Sequence, residues 1–307
     1  MQLYRFEFAA MASRHELKLW AEHEPQVQEA AAAAIADVHR IERKYSRYRD
    51  DSVTSSINRA AGVAAVEIDA ETRALLDYAS ACHALSQGAF DITSGVLRRA
   101  WDFRRDPPML PDARTIEELL ALIDWTAVVC ESTRVYLPRA GMELDFGGIG
   151  KEYAADRAAR ICTDAGIVHG LVNLGGDVRV IGPQPDGTPW QIGIRHPRAE
   201  AVIASIPVRE GALATSGDYQ RFFEIDGARY CHVIDARTGW PVSAWQSVSV
   251  IAPLCTMAGS CATIAMLRAR NAEAFLQEQG VDYLAIDREG VVHGTLARVP
   301  TEFKAST

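Results

Sequence analysis

Residues 145–159 read DFGGIGKEYAADRAA, and this stretch decides how the rest of the chain is interpreted. Apolar residues lead into paired glycines, and Gly150 then opens a run with the apolar spacing of an amphipathic helix. Glycine allows close backbone approach, and the first amides of a helix have no partner within that helix. Lys151 adds a cation there. The stretch therefore predicts a strand ending at Gly148, a helix from about Gly150 to Ala165, and a local site for an anion such as a pyrophosphate.

Two further glycine-containing turns carry polar side chains beside apolar runs. They are VNLGGDVRV from Val172 and LATSGDYQRF from Leu213. One such turn is more often structural than functional, but three that each carry Asp, Lys, Ser or Arg favour a shared site. None fits the dinucleotide-binding GxGxxG fingerprint or the GxxxxGK[ST] phosphate loop, so neither of those nucleotide sites is predicted.

The segment RYCHVIDARTGWPVS from Arg229 holds a candidate proton acceptor. His232 lies within an apolar run, Tyr230 to Ile234, that is typical of a strand. A lone histidine in a strand is more often a hydrogen-bonded core residue. With Asp235 in the following turn and with Ser216, Asp218 and Arg221 preceding it, His232 is also a candidate base. Both interpretations stay open at this point.

The pattern of periodicities predicts an α+β fold, that is, a mixed α/β chain with largely antiparallel sheets and flanking helices. Residues 3–20 alternate as a strand hairpin, and hairpin-linked strands recur after residue 127. Helices are predicted at 26–48, 69–86, 115–123, 256–268 and 271–279, the third with a capping box from Thr115 and Glu118. A strand is expected at 143–146. Charge and proline concentrate in residues 98–114, which are therefore the candidate flexible insertion.

Composition excludes several function classes. The 307 residues are 48% hydrophobic and 23% charged, as in ordinary globular proteins. Forty acidic and 32 basic residues give a net charge of −8, which disfavours nucleic-acid binding. The six cysteines have no metal-like spacing and are expected to be free thiols. No apolar run approaches the roughly 18 residues of a membrane span, so none is expected. The chain as given is expected to be cytoplasmic, or periplasmic if an export signal has been removed.

Nine motifs follow one another along the chain: Met11-Ala-Ser, Tyr45-Ser-Arg-Tyr, the stretch Ser52 to Asn58, GAFDITSGVL from Gly88, DFGGIGKEYA, VNLGGDVRV, ATSGDYQR, HVIDARTGWPVS and Ala262-Thr263. This ordered set resembles the ApbE family of FAD:protein FMN transferases over nearly the whole chain. The resemblance implies one T-fold-like domain over residues 1–307, with two lobes around an FAD cleft.

The resemblance also implies the reaction and its residues. FMN would pass from FAD, the substrate, to a threonine or serine hydroxyl of an acceptor flavoprotein, with Mg²⁺ assisting and AMP released. His232 and Lys151 are the implied catalytic residues. The implied FAD-binding residues are Met11, Tyr45, Ser46, Asn58, Asp91, Thr93, Gly148, Gly150, Lys151, Gly175, Gly176, Asp177, Ser216, Asp218, Arg221 and His232. A turn role near Gly95 is the alternative for Asp91 and Thr93, and core packing is the alternative for Tyr45 and Trp101.

The implied metal site departs from the family pattern. Its ligands would be the Gly150 carbonyl, the Thr263 hydroxyl and an aspartate where this chain has Gly259. Because Mg²⁺ prefers at least one carboxylate, the site is expected to be weakened unless Asp177, Asp145 or another acidic group reaches it. Glu152, which replaces a glycine of the family, is expected to be a mild departure. Two hypotheses follow: an active transferase with an altered ligand set, or an FAD-binding protein with impaired or no transfer.

Overall fold

The computed structural model of the chain describes residues 1–298, without the side chain of Arg298. Its centre is an eight-stranded sheet with the order β1-β2-β6-β7-β10-β15-β16-β17, in which every pair of neighbours is antiparallel. The strands are β1 (Gln2–Ala10), β2 (Ser13–Ala21), β3 (Val66–Glu67), β4 (Val129–Cys130), β5 (Arg134–Tyr136), β6 (His169–Leu174), β7 (Asp177–Gly182), β8 (Trp190–Arg195), β9 (Val202–Val208), β10 (Gly211–Gly217), β11 (Phe222–Ile225), β12 (Ala228–Cys231), β13 (Ile234–Asp235), β14 (Trp240–Pro241), β15 (Trp245–Ala252), β16 (Asp282–Asp287) and β17 (Val292–His293).

Helices cover one face of this sheet. The α-helices are α1 (Glu24–Tyr45), α2 (Val53–Arg59), α3 (Ala70–Ser86), α4 (Ala113–Leu120), α5 (Gly150–Asp164), α6 (Cys255–Arg268) and α7 (Ala272–Glu278). Helix α1 buries Val27, Ala31, Ala34, Val38 and Ile41, which recur at the spacing of one helix face. Helix α5 packs between α1 and strands β6 and β7, and α6 packs on β10 and β15. These contacts fix the start of α5 beside the middle of the sheet.

The β8–β9 hairpin covers the opposite face. Trp190, Ile192 and Ile194 from β8 form one buried cluster with Val178 and Val180 of β7. Because both faces of the sheet are covered, the central strand β15 is buried at seven of its eight positions instead of alternating. The predicted α+β fold with antiparallel sheets and flanking helices is confirmed.

A tight turn between β6 and β7 positions one predicted site residue. Leu174 pairs with Asp177, so the turn consists of Gly175 and Gly176, whose φ angles are +64° and +102°. Two-residue hairpins favour turns with positive φ at both central positions, which glycine adopts without steric cost. Asp177 is therefore placed at the first position of β7, where it is buried.

Part of the predicted flexible insertion is anchored by an aromatic cluster. Trp101 is buried, and its Nε1 donates a hydrogen bond to the Gly239 carbonyl at 2.8 Å. Its ring also lies against Phe103, Phe223 and Tyr230, with centroids 6.0–6.1 Å apart. The role of the Trp101 side chain is therefore core packing. The flexibility of the rest of residues 98–114 stays a prediction, as does the division of the chain into domains.

The expected strand at 143–146 is wrong. Glu143 makes only an isolated bridge with Ser94, and Phe146–Gly148 forms a 3₁₀ turn, so no strand ends at Gly148. The Asn58 side chain takes the place of a neighbouring strand. The Leu144 amide donates to Asn58 Oδ1 at 2.7 Å, and Asn58 Nδ2 donates to the Leu144 carbonyl at 3.0 Å.

Two smaller expectations also need correction. The run from Tyr230 to Ile234 is divided, since β12 ends at Cys231 and β13 begins at Ile234. His232 consequently lies in the bend between two strands rather than inside one. Helix α4 has no capping box: Asp112 caps it by accepting a hydrogen bond from the Thr115 amide at 2.8 Å.

Replacing Asn58 should destabilise the loop that leads into α5. Asn58→Ala leaves the buried Leu144 amide and carbonyl without partners, so we expect the free energy of unfolding to fall by about 1–3 kcal/mol. Urea denaturation measures this. Asn271→Ala is the control, because that amide is exposed and makes no capping hydrogen bond. We expect it to change stability by less than about 0.5 kcal/mol. Equal free energies of unfolding for the two variants would contradict this stabilising role of Asn58.

Candidate functional site

A cleft of about 830 Å³ opens beside the start of α5. Its walls come from the 3₁₀ turn at Phe146–Gly148, from the ends of β10 and α6, and from the bend at His232. Of the residues predicted to form the site, the cleft wall includes Asp91, Gly148, Lys151, Asp177, Ser216, Arg221, His232 and Thr263. Residues far apart in the sequence therefore meet in one concave surface.

Lys151 and Asp177 form an ion pair at the inner end of the cleft. Lys151 Nζ lies 2.6 Å from Asp177 Oδ2, and the Asp177 side chain is only 4% exposed. Burial is the largest single influence and acts to lower the pKa of Lys151, but the charges of Asp177 and Glu152 and the hydrogen bond to Asp177 together raise that pKa. Lys151 is therefore a fixed cation next to the first turn of α5, whose N-cap residue Ile149 supplies no side-chain hydrogen bond. This end of the cleft suits an anionic ligand.

A pair of hydroxyls joins β10 to α6 in the same wall. Ser216 Oγ and Thr263 Oγ1 lie 2.6 Å apart and share one hydrogen bond. Thr263 follows Gly259 by four residues on α6, so the two positions share a helix face, as predicted.

His232 is held at the cleft through its backbone. Its amide donates to the Arg221 carbonyl at 3.0 Å, and its Nδ1 is buried without a hydrogen-bond partner among residues 1–298. Burial lowers the pKa of His232 to about 4, and the positive charges of Arg221 and Lys151 add to this shift. The imidazole is therefore neutral at pH 7 and can accept a proton.

Glu152 is the residue of this site whose importance the sequence interpretation missed. It follows Lys151 on α5, lines the cleft, and has a buried Oε2 without a partner among the described residues. A Cβ atom built on Gly259 would lie 2.5 Å from Glu152 Cγ and 2.8 Å from its Oε1. Burial, followed by the nearby Asp177 charge, raises the pKa of Glu152. The sequence held one signal of this importance: Glu152 and Gly259 both depart from the family pattern in the same chain.

Aromatic and charged side chains form the outer part of the cleft. Trp101, Phe103 and Phe222 line it, and Arg47 pairs there with Asp145. Asp145 also accepts a hydrogen bond from the Gly147 amide at 2.9 Å. The cleft is thus lined by aromatic side chains and by charged side chains of both signs.

Several predicted FAD-binding residues support the walls from behind. Tyr45 is buried with its hydroxyl 3.1 Å from Thr72 Oγ1, and Asp218 is held by two hydrogen bonds from Arg198 at 2.6 and 2.7 Å. The predicted residues outside the cleft wall are Met11, Tyr45, Ser46, Asn58, Thr93, Gly150, Gly175, Gly176 and Asp218. Their contacts to FAD stay predictions.

Asp91 and Thr93 make the turn contacts that were considered as an alternative. Asp91 Oδ1 accepts from the Thr93 amide at 2.7 Å and from the Thr93 hydroxyl at 2.6 Å. Asp91 Oδ2 accepts from the Trp125 amide at 3.0 Å, and Thr93 Oγ1 accepts from the Asp124 amide at 2.9 Å. A structural role is therefore established for both, whereas Asp91 additionally borders the cleft.

The described part of the chain contains neither a cluster of metal-binding side chains nor a membrane-spanning helix. Within residues 1–298, no group of three or more His, Cys, Asp and Glu side chains is arranged to bind a metal ion. No helix in the same range combines the length and the apolar character that crossing a membrane requires.

Comparison with known proteins assigns the family. The ApbE family model matches residues 11–285. The chain belongs to the ApbE family. An FAD:protein FMN transferase of Treponema pallidum (strain Nichols) is 35% identical over 261 residues, covering 78% of this chain and 72% of the relative. Another from Klebsiella pneumoniae (strain 342) is 32% identical over 279 residues, covering 86% of this chain and 80% of the relative.

Solved ApbE structures share the fold. The crystal structure of the ApbE protein from Thermotoga maritima superposes with a TM-score of 0.89 at 33% identity, covering 96% of this chain and 98% of that one. The apo flavinyl transferase ApbE from Pseudomonas stutzeri gives a TM-score of 0.85 at 27% identity, covering 96% and 95% of the two chains. The predicted family, the T-fold-like ApbE architecture and the assignment to transferase enzymes are confirmed.

The buried environment of His232 predicts its titration. With a folded-state pKa of about 4 against 6.5 in the unfolded chain, the imidazole should stay neutral down to about pH 5. As the pH falls from 6.5 towards 4, the unfolded state takes up this proton first, so His232 should lower stability across that window.

Carbon-detected NMR of ¹³C-labelled histidine rings checks this, with His232→Asn identifying the resonance. A His232 midpoint at or above 6.5 would contradict the assignment of a neutral, desolvated base.

Proposed function

We propose that this ApbE-family chain is an FAD:protein FMN transferase, which moves FMN from FAD to a threonine or serine hydroxyl of an acceptor flavoprotein and releases AMP. The observation that carries the proposal is that one cleft holds a neutral His232 together with a fixed cation, Lys151. Family membership and the names of the relatives support the same reaction.

The lining of the cleft suits both the flavin ring and the pyrophosphate of FAD. Its volume of about 830 Å³ lies within the usual range for small-molecule sites. The aromatic side chains Phe103 and Phe222 offer a surface for the flat isoalloxazine ring. Lys151 and Arg221, with the first turn of α5, offer positive charge to the pyrophosphate.

The chemistry requires a proton acceptor and charge neutralisation. The acceptor hydroxyl oxygen attacks the phosphorus on the FMN side of the pyrophosphate and forms a new P–O bond. The P–O bond to AMP breaks, and AMP leaves with the bonding electron pair. His232 takes the proton of the hydroxyl through Nε2, because Nδ1 is buried. Lys151 stabilises the negative charge that develops on the leaving phosphate.

Mg²⁺ belongs to the proposal, and the residues present fit it. Thr263 and Ser216 present hydroxyl oxygens, and the buried Glu152 presents a carboxyl oxygen without a protein partner. Oxygen ligands of this kind are what Mg²⁺ prefers. The Gly150 carbonyl and the Thr263 hydroxyl would hold the ion, which when bound supplies charge neutralisation of the pyrophosphate.

The alternative, FAD binding with impaired or no transfer, rested on the missing carboxylate at Gly259. Glu152 places a carboxyl group in the space beside Gly259, which weighs against this ground for impaired transfer. Transfer is therefore the favoured function. The identity of the acceptor and the cytoplasmic or periplasmic location stay predictions.

Transfer should depend on His232. We expect His232→Asn to lower the rate by a factor of about 10² to 10⁴, because a positioned base is lost, with FAD affinity changed by less than about threefold. The assay mixes the chain with FAD, Mg²⁺ and a flavin-acceptor domain, and reads in-gel fluorescence of the acceptor together with AMP. Glu289→Gln, an exposed carboxylate in the β16–β17 turn, is the control.

Other outcomes would reject the proposal. A fluorescent acceptor band formed equally well by His232→Asn would remove the histidine from the reaction. AMP formed while the acceptor present stays unlabelled would indicate FAD hydrolysis instead of transfer.

A further inference from the structure

The carboxyl group of Glu152 lies in an environment that is incomplete as it stands. The side chain is 9% exposed, and its Oε2 has no hydrogen-bond partner among the described residues. A buried polar oxygen without a partner costs free energy, and a buried charge without compensation costs more. The fold nevertheless keeps this carboxyl at the polar end of the cleft, beside Lys151 and Asp177.

The local charges do not balance. Lys151 is already paired with Asp177 at 2.6 Å, so one cation serves one carboxylate. Asp156, one turn further along α5, is engaged by Arg179 at 3.2 Å and by the Cys255 and Thr256 amides at 2.8 and 2.9 Å. Ionised Glu152 would therefore leave one buried negative charge without a counterion, which a divalent cation would supply.

The position of Glu152 relative to α6 points to the same ion. Its Cγ and Oε1 lie within 2.8 Å of where a Cβ at Gly259 would stand. Gly259 is one helical turn before Thr263, whose hydroxyl faces the cleft with Ser216. A carboxylate reaching this space from α5 therefore occupies the space that a side chain at position 259 of α6 would enter, in the cleft that Thr263 and Ser216 also line.

We infer that Glu152 is the carboxylate ligand of the divalent cation in this chain, and that it acts from α5 in the space left open by Gly259. This inference rests on the proposed function for the identity of the ion as Mg²⁺, but the binding of the cation can be tested without transfer. Position 259 must be small for the arrangement to form, because any side chain there would meet the Glu152 stem. The two departures from the family pattern thus form one coupled exchange.

Binding of Mn²⁺ as a substitute for Mg²⁺ tests the inference. Electron paramagnetic resonance measures free Mn²⁺ in solutions of the FAD-saturated protein, with FAD alone as the blank. Glu152→Gln keeps the shape of the side chain and removes the charge. We expect it to weaken Mn²⁺ binding by at least about tenfold, since losing even an outer partner of a metal site typically costs that much. Glu289→Gln should bind Mn²⁺ like the wild type.

An exchange variant tests the location of the ligand. Glu152→Ala removes the three atoms nearest the position of a new Cβ, and we expect weak Mn²⁺ binding. Adding Gly259→Asp to Glu152→Ala should restore affinity to within about threefold of the wild type, a coupling that independent sites would not give. Thermal melts and FAD affinity measured in EDTA identify any variant that has failed to fold.

Each outcome decides the matter. Unchanged Mn²⁺ binding in Glu152→Gln, or no recovery in a folded exchange variant, would overturn the inference. Absence of Mn²⁺ binding by the wild type would do the same. Mn²⁺ binding that depends on Glu152 without any acceptor labelling would leave the inference standing and reject the transferase proposal. Labelling of the acceptor in EDTA would support FMN transfer and reject a role of the metal in that transfer.

Discussion

The contact between Lys151 and Asp177 is the interaction on which the rest of the site depends. It joins the first turn of α5 to the first residue of β7 and places a cation at the inner end of the cleft. The tight Gly175-Gly176 turn contributes to it, because it places Asp177 at the first residue of β7, a strand that packs against α5. Without the carboxylate, the half-buried ammonium would be left without its partner, at a substantial free-energy cost.

Burial acts on three ionisable groups of this cleft with different results. It lowers the pKa of His232, with positive neighbours adding to the effect, and leaves a neutral base. It raises the pKa of Glu152, with the Asp177 carboxylate adding to the effect, and so favours the uncharged acid in the absence of a cation. Lys151 stays charged because the neighbouring carboxyl groups of Asp177 and Glu152 together raise its pKa despite burial. Burial and neighbouring charges within one cleft thus determine the protonation state of each group.

Many of the motif residues act one layer behind the cleft. Asn58 holds Leu144 where a strand partner would be, and Thr93 fixes the backbone at Asp124. Arg198 holds Asp218, beyond the wall. The Asn58 hydrogen bonds hold the segment that leads into the turn carrying Gly148. A motif can therefore identify a family even where its side chains do not face the substrate.

The sequence by itself determined the family, the antiparallel α+β fold, the helix from Gly150 and the meeting of Lys151, Asp177, Ser216 and His232. These features depend on local periodicity, on turn residues and on ordered motifs, which are readable along one chain. Only the tertiary structure decided that 143–146 is no strand, that His232 lies in a bend, and that Glu152 fills the space beside Gly259. The reason is physical: residues 152 and 259 are brought together by the packing of α5 against α6, which no local pattern encodes.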